Sequence, residues 1–226
     1  MKITYYGHSA FGLEMGGKSL LFDPFISPNP MAAEIDINKI PADYLLISHG
    51  HQDHVADAER IAKRTGAGVI SSFEIFTWFN QMEIGGHPMN TGGKFTFDFG
   101  TVKAVSAIHS SVLPDGTYGA NPMGFVIWND EACFYYAGDT ALTMDMKLIP
   151  MTCPKLDFAV LPIGDNFTMG YEDALIASDF IECDTIIGVH FDTFGYIKID
   201  HNEVQKAFAE RGKKLILPSV GEVIQL

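Results

Sequence analysis

Residues 2–6, 10–15 and 18–23 alternate apolar and polar side chains, the period-two pattern of strands with one face in a core, and Gly16-Gly17 supplies the tight turn between the last two. The run Leu45-Leu46-Ile47 is apolar on both faces, so a buried strand is predicted over 43–48. Helical spacing takes over at 57–65, with Ile61 and Ala62 inward, Lys63 and Arg64 in the last turn and Gly66 as the stop. A strand at 68–71 and a helix at 72–82 follow, and the glycine-rich stretch 85–93 reads as a loop. Strands at 94–99 and 101–107 meet around Gly100, and 123–128 with 132–137 form a hairpin about Asn129-Asp130. Helices at 142–149 and 172–182 precede strands at 156–161 and 184–189; a helix at 201–211 and strands at 214–217 and 222–226 complete the series. This succession predicts an α/β fold, with the loops 26–41, 110–122 and 162–170 left over to build a binding pocket.

Composition narrows the class. A length of 226 residues, 47% of them hydrophobic, suffices for one domain spanning 1–226 with a substantial core. No run of about 18 apolar residues is present, so no membrane span is expected. Three widely spaced cysteines, Cys133, Cys153 and Cys183, do not make a disulfide framework, and no secretory pattern opens the chain; both point to a cytoplasmic protein. A net charge of −13 repels phosphate backbones and argues against nucleic acid as a partner. A small-molecule substrate is expected instead, and self-association into a homo-oligomer is left open.

The chemistry concentrates after the 43–48 strand. In Ser48-His49-Gly50-His51-Gln52-Asp53-His54 four metal-binding side chains fall within six positions, more donors than one tetrahedral ion takes from a single loop. Two ions sharing the loop account for the excess. His49-x-His51-x-Asp53-His54 resembles the signature of the metallo-β-lactamase superfamily of metal-dependent hydrolases. The resemblance continues along the chain: His109 stands at the end of the 101–107 strand, Asp139 follows Ala137-Gly138 at the end of the hairpin, and His190 follows the 184–189 strand. The Gly7-His8-Ser9 opening and the Pro162-Ile163-Gly164-Asp165-Asn166 loop are similar to an uncharacterised metal-dependent hydrolase group that itself resembles the ascorbate-6-phosphate lactonases.

That resemblance implies a four-layer αββα sandwich and two divalent metal ions, zinc first and manganese second. His49, His51 and His109 would hold one ion, Asp53, His54 and His190 the other, with Asp139 and a hydroxide bridging them. Asp53 would also orient the hydroxide, His8 would act as a proton donor or substrate ligand, Asp23 would support the histidine loop from behind, and Asp165 would bind substrate. His87 and His201 are expected outside the site. The implied activity is hydrolysis of a small ester, lactone or phosphodiester. The competing readings are a mononuclear iron dioxygenase and a non-catalytic metal-binding sensor on the same fold.

Overall fold

A computed structural model describes residues 1–226. Fourteen strands form two seven-stranded sheets. The first sheet contains β1 (Lys2–Gly7), β2 (Ala10–Met15), β3 (Lys18–Phe22), β4 (Tyr44–Leu46), β5 (Gly68–Ser72), β6 (Gly86–Met89) and β14 (Val223–Gln225), in the order β14-β1-β2-β3-β4-β5-β6. The second contains β7 (Lys94–Phe97), β8 (Gly100–Ser106), β9 (Met123–Trp128), β10 (Cys133–Tyr136), β11 (Phe158–Pro162), β12 (Thr185–Val189) and β13 (Lys214–Ile216), in the order β13-β12-β11-β10-β9-β8-β7. Each sheet is antiparallel in one half and parallel in the other: β3 to β6 run parallel, as do β10 to β13.

Period-two alternation builds the layers. Phe22, Leu46 and Ile70 of the first sheet meet Phe125, Phe134 and Tyr136 of the second in one core between the sheets. Their sequence neighbours Leu21, Leu45 and Val69 point the other way, under α1 (Gln52–Val55), α2 (Ala58–Thr65) and α3 (Phe73–Asn80). Val126 and Tyr135 do the same beneath α4 (Leu148–Thr152), α5 (Tyr171–Phe180) and α6 (His201–Glu210). The result is the expected four-layer αββα sandwich. The site residues all leave the ends of strands at one edge of the two sheets: His8 after β1, Asp23 after β3, His49 after β4, His109 after β8, Asp139 after β10 and His190 after β12.

Three elements differ from expectation. The 85–93 stretch is not only loop: β6 pairs parallel with β5. Its glycines and Pro88 hide it, but they suit an edge strand, where a missing N–H costs no ladder bond. At Gly86 the backbone of Val69 comes so close that an added Cβ would lie 2.0 Å from its carbonyl oxygen. The 142–149 helix is instead a 3-10 turn at Met144–Lys147 running into α4. The 26–41 segment does not cross the site; it buries Ile26, Ala32, Ile37 and Ile40 against the outer face of the first sheet.

Candidate metal centre

Asp23 is the root of the site. It ends β3 in a left-handed conformation (φ 37°), which aims its carboxylate under the histidine loop, and it is fully buried. Four groups donate to it: Ser48 N to Oδ1 (2.8 Å), and Ser48 Oγ (2.5 Å), His54 Nδ1 (2.8 Å) and Tyr136 Oη (2.5 Å) to Oδ2. These bonds fix two tautomers. With Nδ1–H of His54 on Asp23, its Nε2 faces the site. The Ser48 hydroxyl gives its one proton to Asp23, so it accepts from His49 Nδ1 (3.0 Å) and leaves the His49 Nε2 lone pair free. On the far side of the loop Ser110 Oγ lies 3.3 Å from His51 Nε2, and His51 Nδ1 turns toward His49. His51 caps the single turn α1, which carries Asp53 and His54.

The remaining strand ends close the site. Gly138 adopts φ 61° and passes Ser48 so tightly that a Cβ would lie 2.7 Å from Ser48 Cβ; only glycine lets β10 deliver Asp139 there. His190 turns inward at φ 56°, and its N–H donates to the His8 carbonyl (2.9 Å). Asp139 Oδ2 then lies 3.1 Å from His190 Nε2, 3.3 Å from His54 Nε2, 3.6 Å from His109 Nε2 and 3.9 Å from His49 Nε2. Around it the donors fall into two groups, each drawn together within 4.8 Å: His49, His51 and His109; and Asp53, His54, His190 and His8.

These residues fit divalent ions. His49 Nε2 and His51 Nδ1 face one another at 2.9 Å, two imidazole nitrogens that the loop turns toward one point. His54 Nε2 and Asp139 Oδ1 are buried without a hydrogen-bond partner, a cost that a metal ligand does not bear. The donors are imidazole and carboxylate with no thiolate, a set that zinc, iron, nickel and manganese all accept.

Electrostatics tell the same story. Burial disfavours the ionised Asp139, yet the imidazoles of His190 and His54 outweigh it and hold the carboxyl well below its ordinary range. Burial likewise opposes a charged His54, but Asp139 and Asp23 raise its pKa well above the usual imidazole value. His49 goes the other way, pushed well below by burial and then by the charge of His54.

His8 stands elsewhere than its expected place on the substrate. Its ring is buried, its Nε2 lies 3.1 Å from Asp53 Oδ2, and its Nδ1 lies 3.1 Å from Thr193 Oγ1. Burial, followed by the charge of His190, brings its pKa down to about 4, so it is neutral. Burial also opposes ionisation of Asp53, but the His8 bond and the charge of His54 keep that carboxyl below its usual range. The ionised Asp53 accepts, so His8 carries a proton on Nε2, while the Thr193 hydroxyl lies between His8 Nδ1 and the Phe191 carbonyl at 3.1 and 3.3 Å. With both nitrogens taken, His8 orients Asp53 from behind and does not line the cavity.

That cavity, of about 710 Å³, opens directly over the centre and is walled by His51, Asp53, His109, Asp139 and His190. Its other wall includes a segment that was not expected, Thr193, Phe194, Gly195 and Tyr196 just after His190, beside Phe167 and Ser110. Of the three loops expected to form the pocket, 26–41 contributes nothing, and the others contribute Ser110 and Phe167. Asp165, expected to bind substrate, is exposed in a tight turn (φ 61°) outside the lining. The signal for 193–196 was an aromatic, glycine-containing run directly behind a ligand at a strand end. His87 lies on edge strand β6 against Phe95, and His201 pairs with Asp192 at 2.7 Å; neither joins the centre.

The sequence matches the Beta-lactamase superfamily domain over residues 2–190. A UPF0173 metal-dependent hydrolase of Flavobacterium johnsoniae is 59% identical over 100% of both chains. Among solved structures, Igni18, a metallo hydrolase from the hyperthermophilic archaeon Ignicoccus hospitalis, superposes with a TM-score of 0.89 at 34% identity, covering 99% of this chain and 97% of its own. An isothiocyanate hydrolase from Delia radicum gut bacteria shares the fold at a TM-score of 0.79 and 20% identity, covering 100% and 99%.

Proposed function

Because the chain belongs to the β-lactamase superfamily, and within it to the UPF0173 metal-dependent hydrolases, we propose that it hydrolyses a small ester, lactone or phosphodiester at a centre of two divalent ions, zinc first and manganese second. His49, His51 and His109 would hold one ion, Asp53, His54 and His190 the other, and Asp139 would serve both. The observation that carries the reading is the position of Asp139 Oδ2 among four imidazole nitrogens, two from each group of donors. Such a pair of ions supplies a water nucleophile at neutral pH, lowering its pKa from about 16 to about 7, and stabilises negative charge on the substrate oxygen.

The chain's own groups do the rest. Asp53 reaches the cavity while His8 Nε2–H holds its Oδ2, so the carboxylate is oriented to accept a proton from the attacking water. Asp23 keeps His49 and His54 in the tautomers that offer Nε2 to a cation. The Ser110 hydroxyl keeps His51 turned so that Nδ1 points inward. Phe167, Phe194 and Tyr196 form the opposite, aromatic wall of the cavity.

Elemental analysis of the purified protein tests this. Two equivalents of zinc or manganese per chain are expected, with hydrolytic activity lost on chelation and regained on adding back either metal. A fully active protein with a single ion would refute the shared centre. One iron per chain with substrate-dependent oxygen uptake would establish the dioxygenase reading instead.

A further inference from the structure

What the substrate carries besides its scissile bond is decided by the wall facing the metal donors. No lysine or arginine lines the cavity, whereas Asp53 and Asp139 do. The wall away from the donors is aromatic: Tyr196 is 79% exposed and Phe167 49%, their rings edge to face with centroids 6.3 Å apart. Phe194 lies deeper and is held from behind by the His8 ring at 5.1 Å and Phe25 at 6.2 Å. Two large aromatic faces left in water at the mouth of a cavity are relieved by contact with an apolar group. An anionic substituent in the same place would lose its hydration against rings with no cation to pair with. A net charge of −13 adds long-range repulsion of any anion.

We infer that the substrate is an uncharged carboxylic ester or lactone whose acyl side bears an apolar arm about the size of a phenyl ring, lying against Phe167, Phe194 and Tyr196. This rests on the hydrolytic reading above, takes its carboxylic ester or lactone form, and adds the apolar arm. Water adds to the carbonyl carbon and the C–O bond to the alkoxy group breaks. The alkoxy oxygen takes up one proton and leaves as the alcohol, and the acyl part leaves as the carboxylate with release of the second proton. Tyr196 is the residue on which selectivity for the arm depends most, because it presents the largest free aromatic surface.

The test uses the full chain loaded with metal and four p-nitrophenyl substrates: the acetate, the phenylacetate, the hemisuccinate and the bis-phosphate. After correction for uncatalysed rates, kcat/KM for the phenylacetate should exceed that for the acetate by about 10–100-fold, the usual worth of filling an apolar subsite. The hemisuccinate and the phosphodiester should be the poorest. Tyr196→Ala should cut the phenylacetate-to-acetate ratio about tenfold, mainly through KM, a loss of subsite binding energy. Tyr196→Lys should raise kcat/KM for the hemisuccinate about tenfold by supplying the missing cation. Preference for the phosphodiester, an arm ratio near one, or a ratio untouched by Tyr196→Ala overturns the inference while leaving hydrolysis in place. Absence of turnover on all four by protein carrying two ions overturns both.

Discussion

Replacing Asp23 with Asn keeps the shape of the site's root and removes its charge. Three of the four donors converge on Oδ2, so the amide oxygen takes that side and the NH2 group is left facing the Ser48 N–H. That donor–donor contact forfeits one charge-assisted bond, worth about 1.5–3 kcal/mol. The bonds from Ser48 Oγ, His54 and Tyr136 survive as neutral ones of roughly half the strength. Together the loss is about 4 kcal/mol in a fully buried setting, which in a chain of this length lowers Tm by roughly 8–16 °C. The measurement is thermal unfolding in excess chelator, because bound metal would add its own stabilisation to both proteins. A second readout is metal affinity by competition with a chromogenic chelator. The weakened hold on the His54 tautomer should reduce it by about 10–100-fold. A fall in Tm below about 3 °C together with unchanged affinity would refute the role given to Asp23.

Asp139→Ala should leave the fold intact but lower metal content below two equivalents and reduce turnover by several orders of magnitude; elemental analysis showing two ions with near-normal rates would end the claim of a shared ligand. His8→Ala should retain both ions, since its nitrogens serve Asp53 and Thr193, and lose about 10–100-fold in kcat, the usual effect of removing a partner that orients a ligand. Loss of one metal equivalent would make it a ligand instead. Gly138→Ala must accept a left-handed backbone and push against Ser48 Cβ, at a cost of about 2–4 kcal/mol. Unfolding in urea with a midpoint equal to that of the parent would show that β10 can deliver Asp139 by another path.

The layers were legible because adjacent residues such as Leu45 and Leu46 serve opposite faces of one strand, and the strand period exposes that directly. The candidate donors stood out because His49, His109, Asp139 and His190 each come just after such a strand, where the backbone direction is already fixed, and His51, Asp53 and His54 follow His49 in one short loop. What the sequence concealed was relative orientation. His8 sits in a turn that sequence alone describes equally well whether its ring meets substrate or Asp53; the left-handed φ of 57° and the Thr193 hydroxyl decide it. The 26–41 segment looked polar by its Pro and Asn content, yet Ile26, Ile37 and Ile40 had already marked it as covering the sheet. Residues 193–196 went unnoticed because Thr, Phe, Gly and Tyr titrate nothing and bind no metal at neutral pH, so nothing in their chemistry announces a cavity wall.

Three of the residues on which the centre depends, His8, Asp23 and His190, hold positive φ without being glycine. Each such conformation costs about 1–2 kcal/mol, which the surrounding bonds must offset. They do so mutually: Asp23 is held by four donors, and the carbonyl of His8 accepts from both His190 N and Tyr5 Oη at 2.9 Å. The strain therefore sits where a strand must end abruptly and send a long side chain back across its own axis. An extended exit would point the same side chain along the strand, away from the other five strand ends. Two groups of donors from four strand ends, after β1, β4, β8 and β12, can meet around Asp139 only if some of those exits reverse. The energy stored in these turns is a requirement of convergence.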